Sequence, residues 1–360
     1  MSIPSNYKQI ILNSAPSKEV NLKYGEESST FRIEQASFDE NSVKDGEVVV
    51  KVLYLSNDPT QRGWMQKGID AKRMYAPPIL ENDPVTALGL GEIVLSKSSK
   101  HSVGDKVTGR FSWQEYVVVN EQSIFTTIDE SAGLPLTSYL SSVGMTGLTA
   151  YFGVTKVGEL KKGQTIVISA ASGATGSMCV QIAKHIVGAT KVIGISGSAE
   201  KCKWVESLGA DVCVNYHDAD YQKQLSDIIG DDFVDVYYDN VGGEILSFML
   251  SKVKPFGHVV ACGAIAGYND KEKSNVTSWA EIITNRLTVR GFIILDFVKD
   301  YAQGVGAIVG AIKEGKIKIT EGTSVVDLTS EKDVLAKVPE TWSLLFGSNK
   351  PNGKLITKIA

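Results

Sequence analysis

The sequence lacks an excess of basic residues, since 37 Lys and Arg are outnumbered by 41 Asp and Glu and the net charge is −4. Nucleic acid and anionic membranes are bound by basic surfaces, so neither partner is expected. Long apolar runs are also missing: the longest run of apolar residues and glycine, Gly304 to Ile312, is too short to span a bilayer. The N-terminal MSIPSNYKQIILNSAP has no basic segment followed by an apolar one, so no secretory signal is predicted.

Cysteine and histidine are scarce, with four of each in 360 residues. Cys179, Cys202, Cys213 and Cys262 form no C-x-x-C pair, so a disulfide framework is not expected, and a reducing, cytoplasmic or nuclear compartment fits. The first 178 residues contain no cysteine and a single histidine, His101, which is too few soft ligands for a zinc site there. We therefore predict a chain without a bound metal.

What the sequence does contain is a change of pattern along its length. Up to about Asp129, short β-branched runs are broken by Gly, Pro, Asn and Asp, which predicts a β-barrel-like domain. Between Ser138 and Gly315, apolar runs alternate with helical segments, which predicts a doubly wound parallel sheet. The predicted strands of this sheet are Thr165–Ile168, Lys191–Ile195, Asp211–Val214, Val234–Tyr238, His258–Ala261 and Leu287–Ile293. We predict an α/β protein with one domain at 1–137 and 316–360 and a Rossmann domain at 138–315.

The most informative segment leads from the first of these strands into a helix through Ala171-x-Gly173-x-x-Gly176. Without a Cβ at Gly173 the backbone can approach a pyrophosphate, and Gly176 lets the helix pack close to the sheet. The N–H groups and the dipole of the helix N-terminus attract the anion. Although Ala171 replaces the first glycine of the usual fingerprint and a plain structural turn is the alternative, the α/β context favours dinucleotide binding.

The end of the second predicted strand bears on which dinucleotide is bound. NAD enzymes place an acidic residue there, about 20 residues after the loop, on the ribose 2′-hydroxyl. This strand runs into Gly197-Ser198 without a carboxylate, and Lys201 follows in the next helix. Ser198 and Lys201 can donate to a 2′-phosphate, so the sequence favours NADP; a solvated lysine balanced by Glu200 is the alternative.

Several motifs occur in an order and spacing that together are specific. They are Tyr54-Leu-Ser-Asn-Asp58-Pro59 followed by Arg62, Trp113-Gln-Glu-Tyr116, Gly144 to Tyr151, the Ala171–Gly176 loop, Gly197-Ser198-x-x-Lys201, Asn215-Tyr216, Tyr238-Asp-Asn240-Val-Gly-Gly243 and Cys262-Gly-Ala-Ile-Ala-Gly-Tyr268-Asn269. Across nearly the whole chain, they resemble the zinc-independent medium-chain dehydrogenase/reductases. The resemblance is to the branch of leukotriene B4 dehydrogenases, prostaglandin reductases and alkenal double-bond reductases.

The resemblance implies a GroES-like β-barrel domain, a Rossmann domain and NADPH as the hydride donor. The residues that it implies for the cofactor site are Met145, Thr146, Gly173, Ala174, Thr175, Gly176, Ser177, Ser198, Lys201, Tyr216, Asn240, Cys262, Gly263, Ala264, Ile265, Tyr268, Phe292, Ile293 and Ile294. A family Asn near the C-terminus also touches the cofactor. Asn352 is our candidate for it, with Asn349 as the alternative.

Hydride transfer to a conjugated C=C bond needs a donor that stabilises the charge developing on the carbonyl oxygen. Tyr268, in a loop after the fifth predicted strand, is our first candidate, and a packing or ribose-contacting tyrosine is the alternative. Tyr54 and Arg62 complete the candidate catalytic set. Many relatives place a substrate-facing Tyr where this chain has Thr60, so the identity of the proton donor stays open.

The resemblance thus implies a homodimeric, NADPH-dependent reductase of α,β-unsaturated ketones or aldehydes. An NADPH quinone reductase of the same superfamily is one alternative. A protein that binds NADPH without turnover is another, since a Rossmann fold does not itself imply catalysis. The natural substrate is not identified by the sequence.

Overall fold

The structure is a computed structural model that describes residues 3–348 and 350–360. The chain forms two compact units. The first comprises Met1–Leu140, Ser324–Pro351 and Leu355–Ala360, and the second comprises Ser141–Thr323 and Asn352–Lys354. The domain limits at 138 and 316 stay predictions.

The first unit is built mainly from β strands. They are β1 (Asn6–Leu12), β2 (Phe31–Ser37), β3 (Glu47–Ser56), β4 (Thr86–Ser96), β5 (Lys106–Ser112), β6 (Tyr116–Asn120), β7 (Ile124–Thr127), β14 (Thr323–Asp327) and β15 (Lys354–Lys358), with helices α1 (Gln61–Trp64) and α9 (Val334–Ser343). The largest sheet has the order β14-β15-β3-β4-β5-β7, and β3 pairs antiparallel with β4, β6 and β15. Its core includes Phe31, Trp113 and Trp342, with ring centroids 5.4 Å apart for Phe31 and Trp113 and 6.1 Å apart for the two tryptophans.

The second unit is a parallel six-stranded sheet with helices. Its strands are β8 (Thr165–Ile168), β9 (Lys191–Ser196), β10 (Val212–Asn215), β11 (Val234–Asp239), β12 (Val253–Ala261) and β13 (Thr288–Gly291); its helices are α2 (Met145–Phe152), α3 (Ala174–Gln181), α4 (Ala199–Ser207), α5 (Tyr221–Ile229), α6 (Gly243–Leu250), α7 (Trp279–Thr284) and α8 (Tyr301–Lys313). All five neighbouring strand pairs are parallel, which confirms the predicted doubly wound sheet.

The order of these strands creates a crevice. The sheet runs β10-β9-β8-β11-β12-β13, so the chain moves outward from β8 in one direction and then returns to β11, beside β8, before moving outward in the other. The loops after β8 and β11 therefore diverge, and open α/β sheets bind ligands at this switch point, outside the carboxyl ends of the strands. The loop after β8 is the predicted phosphate loop.

Among the described residues, the structure contains no helix with the length and apolar character that a membrane span requires.

Candidate functional site

The carboxyl edge of the six-stranded sheet collects nearly all the residues predicted to hold the cofactor. Gly173 to Ser177 follow β8, Ser198 and Lys201 follow β9, and Tyr216 follows β10; Asn240 follows β11, Cys262 to Ile265 and Tyr268 follow β12, and Phe292 to Ile294 follow β13. Met145 and Thr146 begin α2 in the same unit. Because parallel strands end at one edge, residues that are dispersed over about half of the chain share one face of the unit.

The phosphate loop depends on Gly176, a position where no side chain fits. Ala170 has a left-handed φ of +47°, and its carbonyl accepts a hydrogen bond from Gly173 N at 2.9 Å. A Cβ on Gly176 would lie 2.2 Å from that carbonyl oxygen, and one on Gly173 would lie 3.2 Å from it. Gly173 precedes α3 and supplies no side-chain cap, so the first N–H groups of α3 can bind an anion.

The C-terminal segment returns to this loop. Gly353 N donates to the Ser172 carbonyl at 2.8 Å, and Gly353 and Gly173 form a parallel β-bridge. This contact brings Asn352, our candidate for the C-terminal asparagine of the cofactor site, next to the phosphate loop. The alternative, Asn349, lies outside the described residues.

A small cavity opens at the first turns of α3. Its lining includes the predicted cofactor residues Thr146, Ala174 and Ser177, together with Ser142 and Lys354. The Ser142 and Lys354 side chains are buried, and neither residue was predicted from the sequence. Hydroxyl groups and an ammonium beside a helix N-terminus suit an anion. The Asn352-Gly353-Lys354 pattern could have pointed to Lys354.

The residues predicted to recognise the adenosine ribose lie together at the ends of β9 and β10. Ser198 caps α4, its Oγ accepting from Lys201 N at 3.2 Å. Tyr216 N donates to the Ser196 carbonyl at 2.9 Å, and a Cβ on Gly197 would lie 3.2 Å from the Tyr216 ring. Glycine thus makes room for the Tyr216 ring beside the strand end.

Electrostatics at this strand end favour an anion. Partial burial lowers the pKa of the Lys201 ammonium, an effect that neighbouring Glu200 opposes. Lys201 also lies in the first turn of α4, where the helix dipole disfavours a cation. A bound phosphate would relieve both costs.

The loops after β11 and β12 are joined by backbone hydrogen bonds. Asn240 Nδ2 donates to the Ser169 carbonyl at 2.8 Å, which ties this loop to the end of β8. Cys262 N donates to the Asp239 carbonyl at 2.9 Å, and Ile265 N donates to the Asn240 carbonyl at 3.3 Å. The predicted cofactor residues of these two loops therefore form one continuous surface.

Asp239 stabilises the loops after β11 and β12 through buried hydrogen bonds. This buried carboxylate accepts hydrogen bonds from Tyr237 Oη at 2.8 Å, Ser169 Oγ at 3.1 Å and Gly242 N at 3.0 Å. Burial raises the pKa of the Asp239 carboxyl, and these hydrogen bonds oppose the rise. Asp239 fixes the start of the Asn240 loop, a role that sequence reasoning did not assign.

Tyr268 lies at the end of the loop after β12. It follows a 3₁₀ turn, Ile265–Gly267, and its side chain is partly exposed. Its phenol oxygen accepts from Ala264 N at 3.5 Å, a long hydrogen bond. The phenol is therefore near the loop that carries Cys262 to Ile265.

The residues after β13 are connected to the start of α2. Tyr301 Oη donates to the Ile294 carbonyl at 3.1 Å and to Met145 Sδ at 3.6 Å. The Phe292 ring packs on Phe297 with centroids 6.1 Å apart. Two predicted cofactor segments that are distant in sequence are thus brought together by one tyrosine.

Two of the three candidate catalytic residues lie in the first unit. Tyr54 is a half-buried residue of β3 that packs against the cluster containing Leu90 and Ile356. Arg62 is fully buried in α1, its guanidinium donates to the Lys18 carbonyl, and burial lowers its pKa. Through these contacts both side chains stabilise the fold of the first unit. Their catalytic roles stay predictions.

A second phenol, which sequence reasoning missed, lies beside Thr60. Tyr75 Oη is 2.7 Å from Thr60 Oγ1 and accepts from Trp64 Nε1 at 2.9 Å. The Arg110 guanidinium lies 5.2 Å from the centroid of the Trp64 ring. Tyr75 is nevertheless 44% exposed. Its sequence signal was weak, a lone tyrosine two residues before a Pro-Pro pair.

Gly176→Ala tests the phosphate loop. We expect the free energy of unfolding to fall by about 1–3 kcal/mol, because the added methyl overpacks the loop, and we expect NADPH affinity to fall as well. Urea unfolding and a fluorescence titration measure the two effects. The matched control is Gly306→Ala in α8, where an added Cβ meets nothing within 4 Å. An intact NADPH affinity in the Gly176 variant would contradict this account of the loop.

Metal removal is expected to have no effect. Among residues 3–348 and 350–360, no cluster of three or more His, Cys, Asp or Glu side chains could hold a metal ion. We predict that chelators leave NADPH-dependent turnover unchanged and that elemental analysis finds no stoichiometric zinc. One tightly bound zinc per chain, lost together with turnover, would overturn the prediction.

Comparison with known proteins shows which families the chain resembles. Residues 174–310 match the family described as zinc-binding dehydrogenase, and residues 8–127 match the family described as N-terminal domain of oxidoreductase. The tobacco (Nicotiana tabacum) 2-alkenal reductase (NADP(+)-dependent) is 34% identical over 76% of this chain and 79% of its own. Bovine (Bos taurus) prostaglandin reductase 1 is 33% identical over 78% of this chain and 83% of its own.

The crystal structure of CurA from Vibrio vulnificus in complex with NADPH extends the comparison to the fold. It is 27% identical, covers 98% of this chain and 99% of its own, and superposes with a TM-score of 0.83. The match confirms the predicted fold class, a GroES-like β-barrel domain plus a Rossmann domain. The chain therefore belongs to the medium-chain dehydrogenase/reductases, in the zinc-independent branch to which the alkenal and prostaglandin reductases belong.

Proposed function

We propose that this protein is an NADP-dependent oxidoreductase that reduces the C=C bond of α,β-unsaturated ketones or aldehydes. The observation that carries the proposal is the convergence of a phosphate loop, a ribose-binding end without a carboxylate and the Tyr268 loop at one sheet edge. The tobacco and bovine relatives, both reductases by name, support it.

The residues along this edge would hold NADPH. The N-terminus of α3, with Gly173 to Ser177, would bind the pyrophosphate together with Asn352 of the returning C-terminal segment. Ser198, Lys201 and Tyr216 would bind the adenosine 2′-phosphate. Apart from Tyr268, the remaining predicted residues would hold the nicotinamide end; they are Met145, Thr146, Asn240, Cys262, Gly263, Ala264, Ile265, Phe292, Ile293 and Ile294. The hydrogen-bonded loops of this end would orient the ring.

When bound, NADPH supplies the hydride that is transferred to the β-carbon of the substrate. The role of the protein is to orient the substrate for this transfer and to stabilise negative charge on the carbonyl oxygen. The Tyr268 phenol donates to this oxygen as the enolate forms, and the α-carbon then takes a proton from solvent or an acid. This chemistry requires no nucleophile and no metal.

Tyr75 of the first unit is the alternative candidate for the donating phenol. Thr60, at the position where many relatives have a tyrosine, holds the Tyr75 hydroxyl at 2.7 Å. Burial lowers the pKa of the nearby Arg110 guanidinium, and its interaction with Tyr75 opposes that lowering. Thr60 is then a positioning residue for that hydroxyl.

A screen for NADPH oxidation tests the proposal. The substrates are enals, enones, quinones and saturated aldehydes, and products are identified by mass spectrometry. We expect enones or enals to be converted to saturated carbonyl compounds, while the saturated aldehydes serve as the matched control. Preferential turnover of quinones would instead support the quinone reductase alternative. Tight NADPH binding with no turnover of any class would support a non-catalytic protein.

We further propose that the protein is a homodimer formed through β13. All four residues of this edge strand are exposed, including the apolar Val289. The preceding helix α7 exposes Trp279 by 65% and Ile283 by 70%. The exposed edge of a strand at the end of a sheet can pair with its own copy about a two-fold axis.

Val289→Lys tests this interface, because a charge at the strand edge opposes pairing. We expect sedimentation equilibrium to show a dimer for the wild type and a larger monomer fraction for the variant. Val325→Lys on β14 in the first unit, at a similarly exposed valine, is the matched control. A monomeric wild-type protein would end the proposal.

All four cysteines are free thiols, and we propose the reducing cytoplasm as the compartment of the protein.

A further inference from the structure

A buried serine just before α2 carries a hydroxyl that the fold leaves unpaired. The Ser142 side chain is 3% exposed, and among the described residues its Oγ has no hydrogen-bond partner. Burying a hydroxyl without a partner destabilises a folded chain. Native proteins pair most such groups, and the exceptions call for a ligand, an ion or an ordered water. The surroundings of Ser142 indicate which of these it binds.

The turn before α2 fixes the position of this serine through its backbone. Gly147 N donates to the Ser141 carbonyl at 3.0 Å. A Cβ on Gly147 would lie 1.7 Å from the Ser142 carbonyl oxygen, so only glycine lets the first turn of α2 approach Ser142 this closely. These contacts use the backbone of the turn, and the Ser142 hydroxyl takes no part in them.

Ser142 lines the cavity at the first turns of α3, together with Thr146, Ala174 and Ser177. Ala174 is the first residue of α3, and the N-terminus of this helix has no side-chain cap. The N–H groups of its first turn can therefore bind an anion, which the positive end of the helix dipole also attracts. A serine hydroxyl can donate to the same anion. The cavity thus combines two kinds of donor that bind phosphate groups.

The polar groups of the other cavity walls are paired with one another. Lys318 N donates to Gln181 Oε1 at 2.7 Å, and Gln181 Nε2 donates to the Lys318 carbonyl at 3.4 Å. Lys354 N donates to the Gly322 carbonyl at 2.8 Å. The buried basic side chain of Lys354 also lines the cavity, which favours an anion there over a cation. The walls are therefore built around the Ser142 hydroxyl without satisfying it.

We propose that Ser142 is a cofactor-binding residue whose hydroxyl donates to a pyrophosphate oxygen of NADPH at the N-terminus of α3. The inference rests on the proposed cofactor site. There the 2′-phosphate is assigned to the ends of β9 and β10, so the pyrophosphate is the anion that remains for α3, which follows β8. The unpaired hydroxyl destabilises the protein without cofactor, and the bound pyrophosphate supplies its missing acceptor.

Ser142→Ala tests the contact with three ligands that differ in their phosphate groups. NADPH and NADH share the pyrophosphate, whereas adenosine 2′-monophosphate carries only the 2′-phosphate. We expect the variant to bind NADPH and NADH about 10-fold more weakly, the effect of losing one hydrogen bond to a charged group. Its affinity for adenosine 2′-monophosphate should equal that of the wild type. Lys201→Ala should instead weaken NADPH and the monophosphate and leave NADH unchanged.

Unfolding of the protein without cofactor separates a binding serine from a structural one. Ser142→Ala removes an unpaired buried hydroxyl, so we expect the free energy of unfolding in urea to be unchanged or higher. The matched control is Ser247→Ala. It removes a buried hydroxyl that donates to the Gly243 carbonyl and accepts from Thr277 N, both at 3.0 Å. We expect this control to lose stability and to keep the wild-type affinity for NADPH.

Several results would overturn the proposal. Undiminished binding of NADPH and NADH by Ser142→Ala would leave the hydroxyl to an ordered water, and lower stability of this variant without cofactor would make the serine structural. A loss confined to NADPH would assign the hydroxyl to the 2′-phosphate. If inorganic phosphate protects the wild type from unfolding without competing with NADPH, the cavity binds a free anion. All these measurements are made without an enone, so they are independent of any failure of enone reduction.

Discussion

Replacing Tyr268 by Phe is expected to lower kcat/KM for a good enone by about 10²–10³-fold, the cost of losing one donor to a developing oxyanion. The variant keeps the ring and removes only the hydroxyl. Because the phenol would act on the transition state, kcat should fall while the affinity for NADPH stays near the wild-type value. Stopped-flow measurement of NADPH oxidation, with a fluorescence titration of the cofactor, separates these effects.

Tyr75→Phe is the matched comparison, since it removes the other proposed phenol and leaves its ring in place. A loss in this variant but not in Tyr268→Phe would transfer the donor role to the first unit. Unchanged kinetics in Tyr268→Phe would reduce that residue to a packing role. A raised KM for NADPH at constant kcat would instead assign the hydroxyl to the cofactor.

Lys201→Ala should weaken NADPH binding by roughly 10-fold to 150-fold, since a charge-assisted hydrogen bond contributes about 1.5–3 kcal/mol. NADH lacks the phosphate that Lys201 would bind, so its affinity should scarcely change. The lysine is only partly buried, so higher ionic strength should also erode the wild-type preference for NADPH through screening. Titration of both cofactors at two salt concentrations measures each effect.

The control for this prediction is Lys203→Ala, which removes an exposed lysine from the same helix. It lowers the net charge equally but lies one position past Cys202, away from the first turn. Similar losses in both variants would show a general charge effect instead of a specific contact. Wild-type protein that binds NADH as tightly as NADPH would contradict the assignment of the ribose site.

Of the two proposed phenols, one could be predicted from the sequence and the other could not. Tyr268 was found from the sequence because it follows a strand of a periodic α/β pattern, at the edge where ligands bind. Tyr75 was missed because its contact with Thr60 joins residues 15 positions apart through an irregular loop. Loop geometry of this kind leaves no periodic signal.

Burial gives some of the candidate residues a structural role as well. Arg62 was a candidate for the catalytic set because of its motif, yet it is fully buried and donates to the Lys18 carbonyl. Charge in a sequence suggests solvent or substrate contact, and only packing shows whether a long side chain is enclosed. Lys354 is a second buried cation of this kind.

The sequence by itself determined the parallel sheet and the phosphate loop. Strands buried on both faces, such as β9, appear as continuous apolar runs, so their positions along the chain could be predicted from local pattern alone. Gly176 could also be assigned locally, because the carbonyl that excludes a Cβ there belongs to Ala170, six residues earlier in the same turn.

Only the tertiary structure decided which distant side chains meet. Met145 and Ile294 are distant in sequence, and the Tyr301 hydroxyl connects them by bonding to both residues. The placement of Asn352 beside the phosphate loop likewise depends on the Gly353–Ser172 hydrogen bond. Local sequence sets backbone conformation over a few residues, whereas such contacts depend on how complete elements pack against one another.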